Sequence, residues 1–159
     1  MSLVDLPAAK AHLRLEAAYP DDQVAPTLAA AEGAAASFLN RRIFETSDAL
    51  TAAVAGVPDA LIAAADARRS ALAAAAALPD CDARAMATKA AEAAYASAQE
   101  SARATYAGIV VNAQIRAGVL LILGHLFENR SDVEAGVTVA EVPMTSQYVL
   151  QPFRVDMGI

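Results

Sequence analysis

The sequence has few cysteines and few aromatic residues. Of its 159 residues one is cysteine, none is tryptophan, and 5% are aromatic. Because Cys81 has no partner in the chain, an internal disulfide is excluded, which fits a reducing compartment. Although 57% of the residues are hydrophobic, much of that share is alanine, which buries little area per residue. We therefore expect a thin core and an oligomer in which a neighbour supplies the missing burial.

The sequence also lacks a basic segment. Its net charge is -6 at pH 7, and residues 1–47, 48–107 and 108–159 each hold two more acidic than basic side chains. The lysine- and arginine-rich surface that binds nucleic acid or lies on a lipid membrane is therefore not indicated. The N-terminus has no basic start followed by an apolar core, so no signal peptide is predicted. The expected location is the cytoplasm, or a particle assembled there.

No membrane-spanning segment is predicted from the most apolar stretch, 117–127. It falls far short of the roughly 20 apolar residues that a spanning helix needs. Arg116 precedes it, and Glu128 and Arg130 follow it. We therefore expect a helix that is buried in a soluble fold or shared with a partner, and no membrane partner.

Helical patterns fill both ends of the chain. Asp5 with Pro7 is a good helix start, and Asp21 or Asp22 is expected to cap a second helix that stops at Asn40. After "ENRSD" we predict a loop, and then a last short helix that begins at Pro143. No series of strands is convincing. The predicted fold class is all-α, a small helical bundle.

The middle of the chain, 46–105, predicts an alanine-rich antiparallel helical hairpin. The "GVP" at 56–58 is expected to interrupt its first helix. "PDCD" makes the turn, and Asp80 or Asp82 caps the second helix, which is expected to run on into a long helix from about Tyr106 to Arg130. We treat 1–159 as a single domain, with 1–45 and 106–159 as its core and the hairpin as an insertion.

Side chains suited to catalysis or metal binding are few. His125 and Glu128 have i, i+3 spacing, but in the reverse of the Glu-x-x-His order found in di-metal bundles. Cys81 has no base beside it, and the sequence has neither a Gly-rich phosphate loop nor a serine nucleophile elbow. We predict no enzyme, no catalytic residue, no metal and no cofactor. A metal-binding bundle built around His125 is the rival interpretation.

Polar clusters that border apolar helices are candidate contact surfaces. They occur in "NRRIF", in "FENR" and in "PFR" near the C-terminus. For "NRRIF" a solvated helix end and a subunit contact are equally reasonable, and "FENR" suits a buried ion pair or a latch between subunits. The candidate contact residues are Arg41, Arg42, Phe44, Glu128, Asn129, Arg130, Phe153 and Arg154.

Four stretches then stand out by their order. They are "LVDLPAAKAHLRL", "DDQVAPTLAAAEGAAASFLNRRIF", "IVVNAQIRAGVLLILGHLFENRSDV" and "VAEVPMTSQYVLQPFR". Together they resemble the siphovirus-type head–tail connector (adaptor) family of tailed bacteriophages and prophages. The resemblance covers residues 3–45 and about 106–154, and the alanine hairpin resembles an insertion found in some members. Its most specific pieces, in this order, are "AKAHLRL", "GHLFENR" and "VP…L.PFR".

This resemblance implies a structural virion protein that assembles in the cytoplasm of the bacterial host. Its partners would be further copies of itself in a ring, dodecameric in the virion, the portal protein above the ring, and head-closure or tail proteins below it. DNA would pass through the extended channel without sequence-specific binding. The acidic balance agrees, because lysine and arginine contacts to phosphate create strong binding. The alternative is a helical assembly chaperone or interaction protein that forms no ring.

Overall fold

The computed structural model describes residues 2–129 and 145–155, which form an all-α fold. In chain order the elements are α1 (Leu6–His12), α2 (Asp21–Leu39), β1 (Ile43–Phe44), α3 (Ser47–Ala76), α4 (Cys81–Tyr106), β2 (Ile109–Val110), α5 (Ala113–Glu128) and α6 (Thr145–Leu150), followed by a 3-10 turn over Gln151–Phe153. The predicted all-α class is confirmed. Arg130 and the predicted helix start at Pro143 lie outside the described residues.

The chain forms two compact units. The first combines Met1–Thr46 with Ile109–Ile159, and the second is Ser47–Gly108. The predicted insertion, 46–105, thus occupies nearly the same residues as the second unit. The first unit surrounds one core of buried apolar side chains. They are Val4, Ala9, Val24, Leu28, Ala31, Ala35, Leu39, Ile115, Val119, Leu123 and Leu150.

The starts of α1 and α2 differ. The Asp5 carboxylate accepts a hydrogen bond from the Ala8 N–H at 2.9 Å and caps α1, as predicted. Helix α2 begins at Asp21 itself, and Pro20 precedes it without a side-chain cap. The predicted capping role of Asp21 or Asp22 was therefore wrong. Both carboxylates lie in the first turn, where the helix dipole favours negative charge.

The ends of α1 and α2 are alike. Each is followed by a residue in the left-handed region, Arg14 at φ 56° and Asn40 at φ 54°. The next amide, of Leu15 or Arg41, donates to the carbonyl five residues earlier, at 2.9 and 3.4 Å. These are the hydrogen bonds of the Schellman motif, which ends a helix and turns the chain. The predicted stop at Asn40 is confirmed.

Helices α2 and α5 pack against each other and run antiparallel. Strand β1 follows α2 and β2 precedes α5, and the two strands pair in parallel with Ile43 opposite Ile109. The C-terminus of α2 therefore lies beside the N-terminus of α5. At the other end, the rings of Tyr19 and Phe127 meet edge to face with centroids 6.3 Å apart.

The strand pair corrects two expectations about the sequence. No strand was predicted, because two residues are too few to show alternating burial. The second helix of the hairpin was also predicted to run on, without a break, into a long helix from about Tyr106 to Arg130. Instead α4 ends at Tyr106 and α5 starts at Ala113, with the Asn112 side chain accepting from the Ile115 N–H.

The second unit is the hairpin of α3 and α4. The predicted interruption at 56–58 was wrong, because α3 continues across Pro58. Proline removes one hydrogen bond of the helix, and the alanine-rich flanks keep the remainder helical. Asp80 caps α4 by accepting from the Ala83 N–H at 2.7 Å, as predicted.

Helix α3 is also the one helix among the described residues that is long and apolar enough to cross a membrane, judged by length and composition. Only 6% of its most apolar window is buried. The expectation of no spanning segment concerned the stretch 117–127 and did not extend to α3. Alanine contributes most of the hydropathy of α3. Arg68 of this helix forms an ion pair with Glu92 of α4.

Candidate subunit interface

The predicted contact residues fall at two opposite ends of the α2–α5 pair. Five of them surround the C-terminus of α2, namely Arg41, Arg42, Phe44, Phe153 and Arg154. Glu128 and Asn129 lie at the C-terminus of α5, beyond the N-terminus of α2, and Arg130 is outside the described residues. The 19 residues of α2 separate the two ends by about 28 Å. The two groups are therefore distinct surfaces.

At the C-terminus of α2, the "NRRIF" and "PFR" segments form one surface although they are far apart in sequence. Arg41 Nη1 donates to the Phe153 carbonyl at 3.1 Å. The Val155 N–H donates to the Leu39 carbonyl, also at 3.1 Å. The Arg154 guanidinium lies 5.1 Å from the centroid of the Phe38 ring, a cation–π contact. The sequence could not place these two segments together, because nothing local joins them.

Strand β1 positions Arg42 and Phe44 of the same segment. The Arg42 carbonyl accepts from the Ile109 N–H at 2.9 Å, and the Phe44 carbonyl accepts from the Val111 N–H at 2.7 Å. Arg42 is exposed and Phe44 is half-buried. The backbone of "NRRIF" is thus held by β2, whereas the Arg42 side chain reaches solvent.

At the C-terminus of α5, Asn129 closes the helix. Its Nδ2 donates to the His125 carbonyl at 2.9 Å and lies 3.2 Å from His125 Nδ1. Glu128 is exposed, so the predicted buried ion pair in "FENR" was wrong for this residue. The predicted latch between subunits stays a prediction. Within residues 2–129 and 145–155, no group of three His, Cys, Asp or Glu could hold a metal ion.

A buried lysine joins α1 to the start of α2. Lys10 Nζ donates to the Ala17 carbonyl at 3.0 Å and pairs with Asp21 at 2.5 Å. This side chain belongs to the "AKAHLRL" piece, yet its sequence context indicated no role for it. Lysine is seldom buried unless it is paired, so the burial of Lys10 depends on the Asp21 carboxylate. The contact fixes the loop between the two helices.

An apolar groove of about 630 Å³ opens between α5 and the C-terminal segment. Its lining residues are Ala113, Gln114, Ala117, Tyr148, Val149, Gln151 and Pro152. Tyr148 is 84% exposed at this groove. The groove was not predicted from the sequence, because it exists only once α6 has packed onto α5.

Comparisons with protein-family models, with curated proteins and with solved structures each gave no match. The geometry of the first unit is therefore what bears on function.

Proposed function

We propose that this chain is a subunit of the head–tail connector ring of a tailed bacteriophage or prophage. In this role it is a structural virion protein that assembles in the cytoplasm of the bacterial host. The ring binds beneath the portal, extends the DNA channel, and gives head-closure or tail proteins a docking surface. DNA passes through it without sequence-specific binding.

The observation that carries this proposal is that the connector-like stretches fold together into one compact unit. They lie at 3–45 and about 106–154, on either side of the alanine-rich hairpin. In the structure nearly all their described residues belong to one compact unit with a single core, and the intervening hairpin forms a unit of its own. This is the arrangement expected of a connector core that carries an insertion.

The exposed apolar residues of the first unit support an oligomer. Helix α5 is apolar on most of its faces, yet its buried residues are only Ile115, Gly118, Val119 and Leu123. Leu121 and Leu126 are each 36% exposed, and Tyr148 is far more so. Helices that are apolar all round are normally buried, so further copies would supply the missing cover.

The experiment that tests this proposal is the absolute mass in solution, measured by light scattering with and without the cognate portal ring. We expect a closed ring of high order, formed either alone or on the portal, and electron microscopy should show added density beneath the portal. A portal from an unrelated phage is the control for non-specific adhesion. A chain that stays monomeric or dimeric and ignores its portal would overturn the connector role and favour the assembly chaperone.

A further inference from the structure

The first unit is electrically asymmetric along the α2–α5 axis. Where α2 ends and α5 begins lie four arginines, Arg41, Arg42, Arg116 and Arg154, which we call the basic end. Among the described residues of the unit, Glu45 is the acidic side chain beside them. This concentration of positive charge contrasts with the net charge of -6 for the whole chain.

The opposite end of the pair is acidic. Glu16, Asp21, Asp22 and Glu128 lie there, and we call them the acidic end. All four are exposed. Lys10 is paired with Asp21, and Arg14 and His12 lie nearby. Among the described residues, the excess of charge is therefore negative at this end and positive at the other.

Helix dipoles explain the charges of α2 but not those of α5. Asp21 and Asp22 at the start of α2 lie where negative charge is favoured, whereas Arg116 is in the first turn of α5 and Glu128 is its last residue. Each of these two charges is opposed by the helix dipole, which favours negative charge at the start of a helix and positive charge at its end. Neither forms an ion pair within the described part of the chain. The charges of Arg116 and Glu128 are thus not explained by stabilisation of the helix that carries them.

We propose that the acidic end of one copy binds the basic end of the next, head to tail. This inference rests on the proposed ring and names its contact. A head-to-tail contact needs two different, complementary surfaces on one subunit, and it closes into a ring when the rotation permits. Complementary charge steers such a contact and fixes its register. The contact residues predicted from the sequence, where the structure describes them, divide between these two ends.

Apolar features accompany the charges at both ends. The groove lined by Ala113 and Pro152 opens at the basic end. Leu126, 36% exposed, lies near the C-terminus of α5 at the acidic end. One end offers a concave apolar surface and the other an apolar side chain. An interface with an apolar centre and a charged rim has this composition.

The test uses two doubly substituted full-length proteins. Asp22→Arg with Glu128→Arg makes both ends positive, and Arg116→Glu with Arg154→Glu makes both ends negative. Each protein alone would bring like charges together, so we expect its self-association, by light scattering or sedimentation, to weaken roughly tenfold or more. An equimolar mixture should regain wild-type mass, because every contact then joins opposite charges. If the wild type assembles only on the portal, all samples are measured with the portal.

The matched control places the same charge change on the hairpin, with Asp59→Arg and Glu100→Arg. Both positions are exposed, and the control should assemble as the wild type does. Recovery on mixing cannot arise from misfolded protein, which keeps the test independent of stability. Normal assembly of each reversed protein alone, or no recovery in the mixture, would overturn the head-to-tail contact. The mass of the wild type with its portal decides the connector role separately, whereas a wild type that never self-associates overturns both.

Discussion

Glycine at position 118 determines how closely α6 approaches α5. A Cβ atom at this position would lie 2.7 Å from both Cγ and Cδ2 of Leu150. Leu150 is only 1% exposed, so its side chain has no open space to enter. Gly33 and Gly56, which are also inside helices, would place a Cβ with nothing within 4 Å. Close packing therefore requires glycine at 118 alone of these three positions.

We expect Gly118→Ala to lower the free energy of unfolding by about 1–3 kcal/mol, the usual effect of overpacking a core. This loss outweighs the gain of up to about 1 kcal/mol that alanine has over glycine inside a helix. Urea unfolding followed by circular dichroism measures the difference.

The matched control is Gly33→Ala, which keeps the helix propensity gain without the clash. It should raise the free energy of unfolding by up to about 1 kcal/mol. Equal stabilisation by both substitutions would show that α6 moves aside without strain, and that the close approach at Gly118 is not required.

At the scale of elements, the hairpin has a seam of small side chains with one strong polar contact. Its buried residues include Val57, Ala75 and Ala91. Across the seam, Arg68 donates two hydrogen bonds to Glu92, at 2.8 and 2.6 Å, and its guanidinium lies 5.2 Å from the centroid of the Tyr95 ring. Alanine offers little apolar area, so this contact specifies how α3 and α4 align.

The pH dependence of the hairpin follows from this contact. The hydrogen bond from Arg68 lowers the pKa of Glu92 below its ordinary value of 4.5. A carboxyl group whose pKa is lowered by folding stabilises the folded state above the unfolded-state value, and this stabilisation is lost as the pH falls through the lowered value. We expect Glu92→Gln to melt at a lower temperature than the wild type at pH 7, and the difference between the two proteins to shrink below about pH 4.

Thermal melts of the two proteins, measured from pH 7 to pH 3 by circular dichroism, test this expectation. Glu100→Gln is the control, since Glu100 is an exposed carboxylate on the same helix and its substitution should leave the melting temperature nearly unchanged. A Glu92→Gln protein that differs from the wild type by the same amount at every pH would contradict the role given to the ionised carboxylate.

At the scale of the whole molecule, the chain passes between the two units beside the short parallel strand pair. The polypeptide enters the hairpin after Phe44 of β1 and returns to the first unit at Ile109 of β2. The Ile109 N–H donates a hydrogen bond to the Arg42 carbonyl. The core of the first unit is formed by α1, α2, α5 and α6 together with Val4. No described residue of the hairpin belongs to that buried cluster.

We therefore expect the first unit to fold after residues 47–107 are replaced by about ten Gly and Ser residues. Loop closure by a flexible linker differs little from closure by the hairpin in free energy, because the entropy depends only on the logarithm of length. Hydrogen exchange should show α2 and α5 amides protected as in the full chain. A comparison protein that also carries Leu150→Ala should be less stable by about 2–5 kcal/mol. Loss of protection in the shortened protein itself would show that the hairpin is required for folding.

The features that could be predicted from the sequence were those that depend on residues close together in the chain. Asp5, Asn40 and Asp80 act on amides or carbonyls a few residues away, so the sequence around them indicates their role. Pro58 was misinterpreted because a strong local breaker is outweighed by the helix propensity of its many neighbours. The pairing of β1 with β2 joins residues 66 positions apart in sequence, and no local signal marks it.

At the candidate interface, too, the local features could be predicted from the sequence and the long-range ones could not. Residue types suited to contacts were recognisable in "NRRIF", "FENR" and "PFR". Their division between two opposite ends depends on the antiparallel packing of α2 on α5, which only the fold shows. Gly118 and the groove beside Tyr148 depend on the docking of α6, so neither had a counterpart in sequence spacing.

The parallel pairing of β1 and β2 has a practical consequence for labelling. It brings the two points at which the hairpin joins the first unit close together. A folded protein inserted in place of the hairpin would therefore be attached at both of its ends. A fluorescent protein inserted in this way would replace only residues that lie outside the core of the first unit. Such a fusion would report the location of the protein in the cell while leaving the residues of both charged ends unaltered.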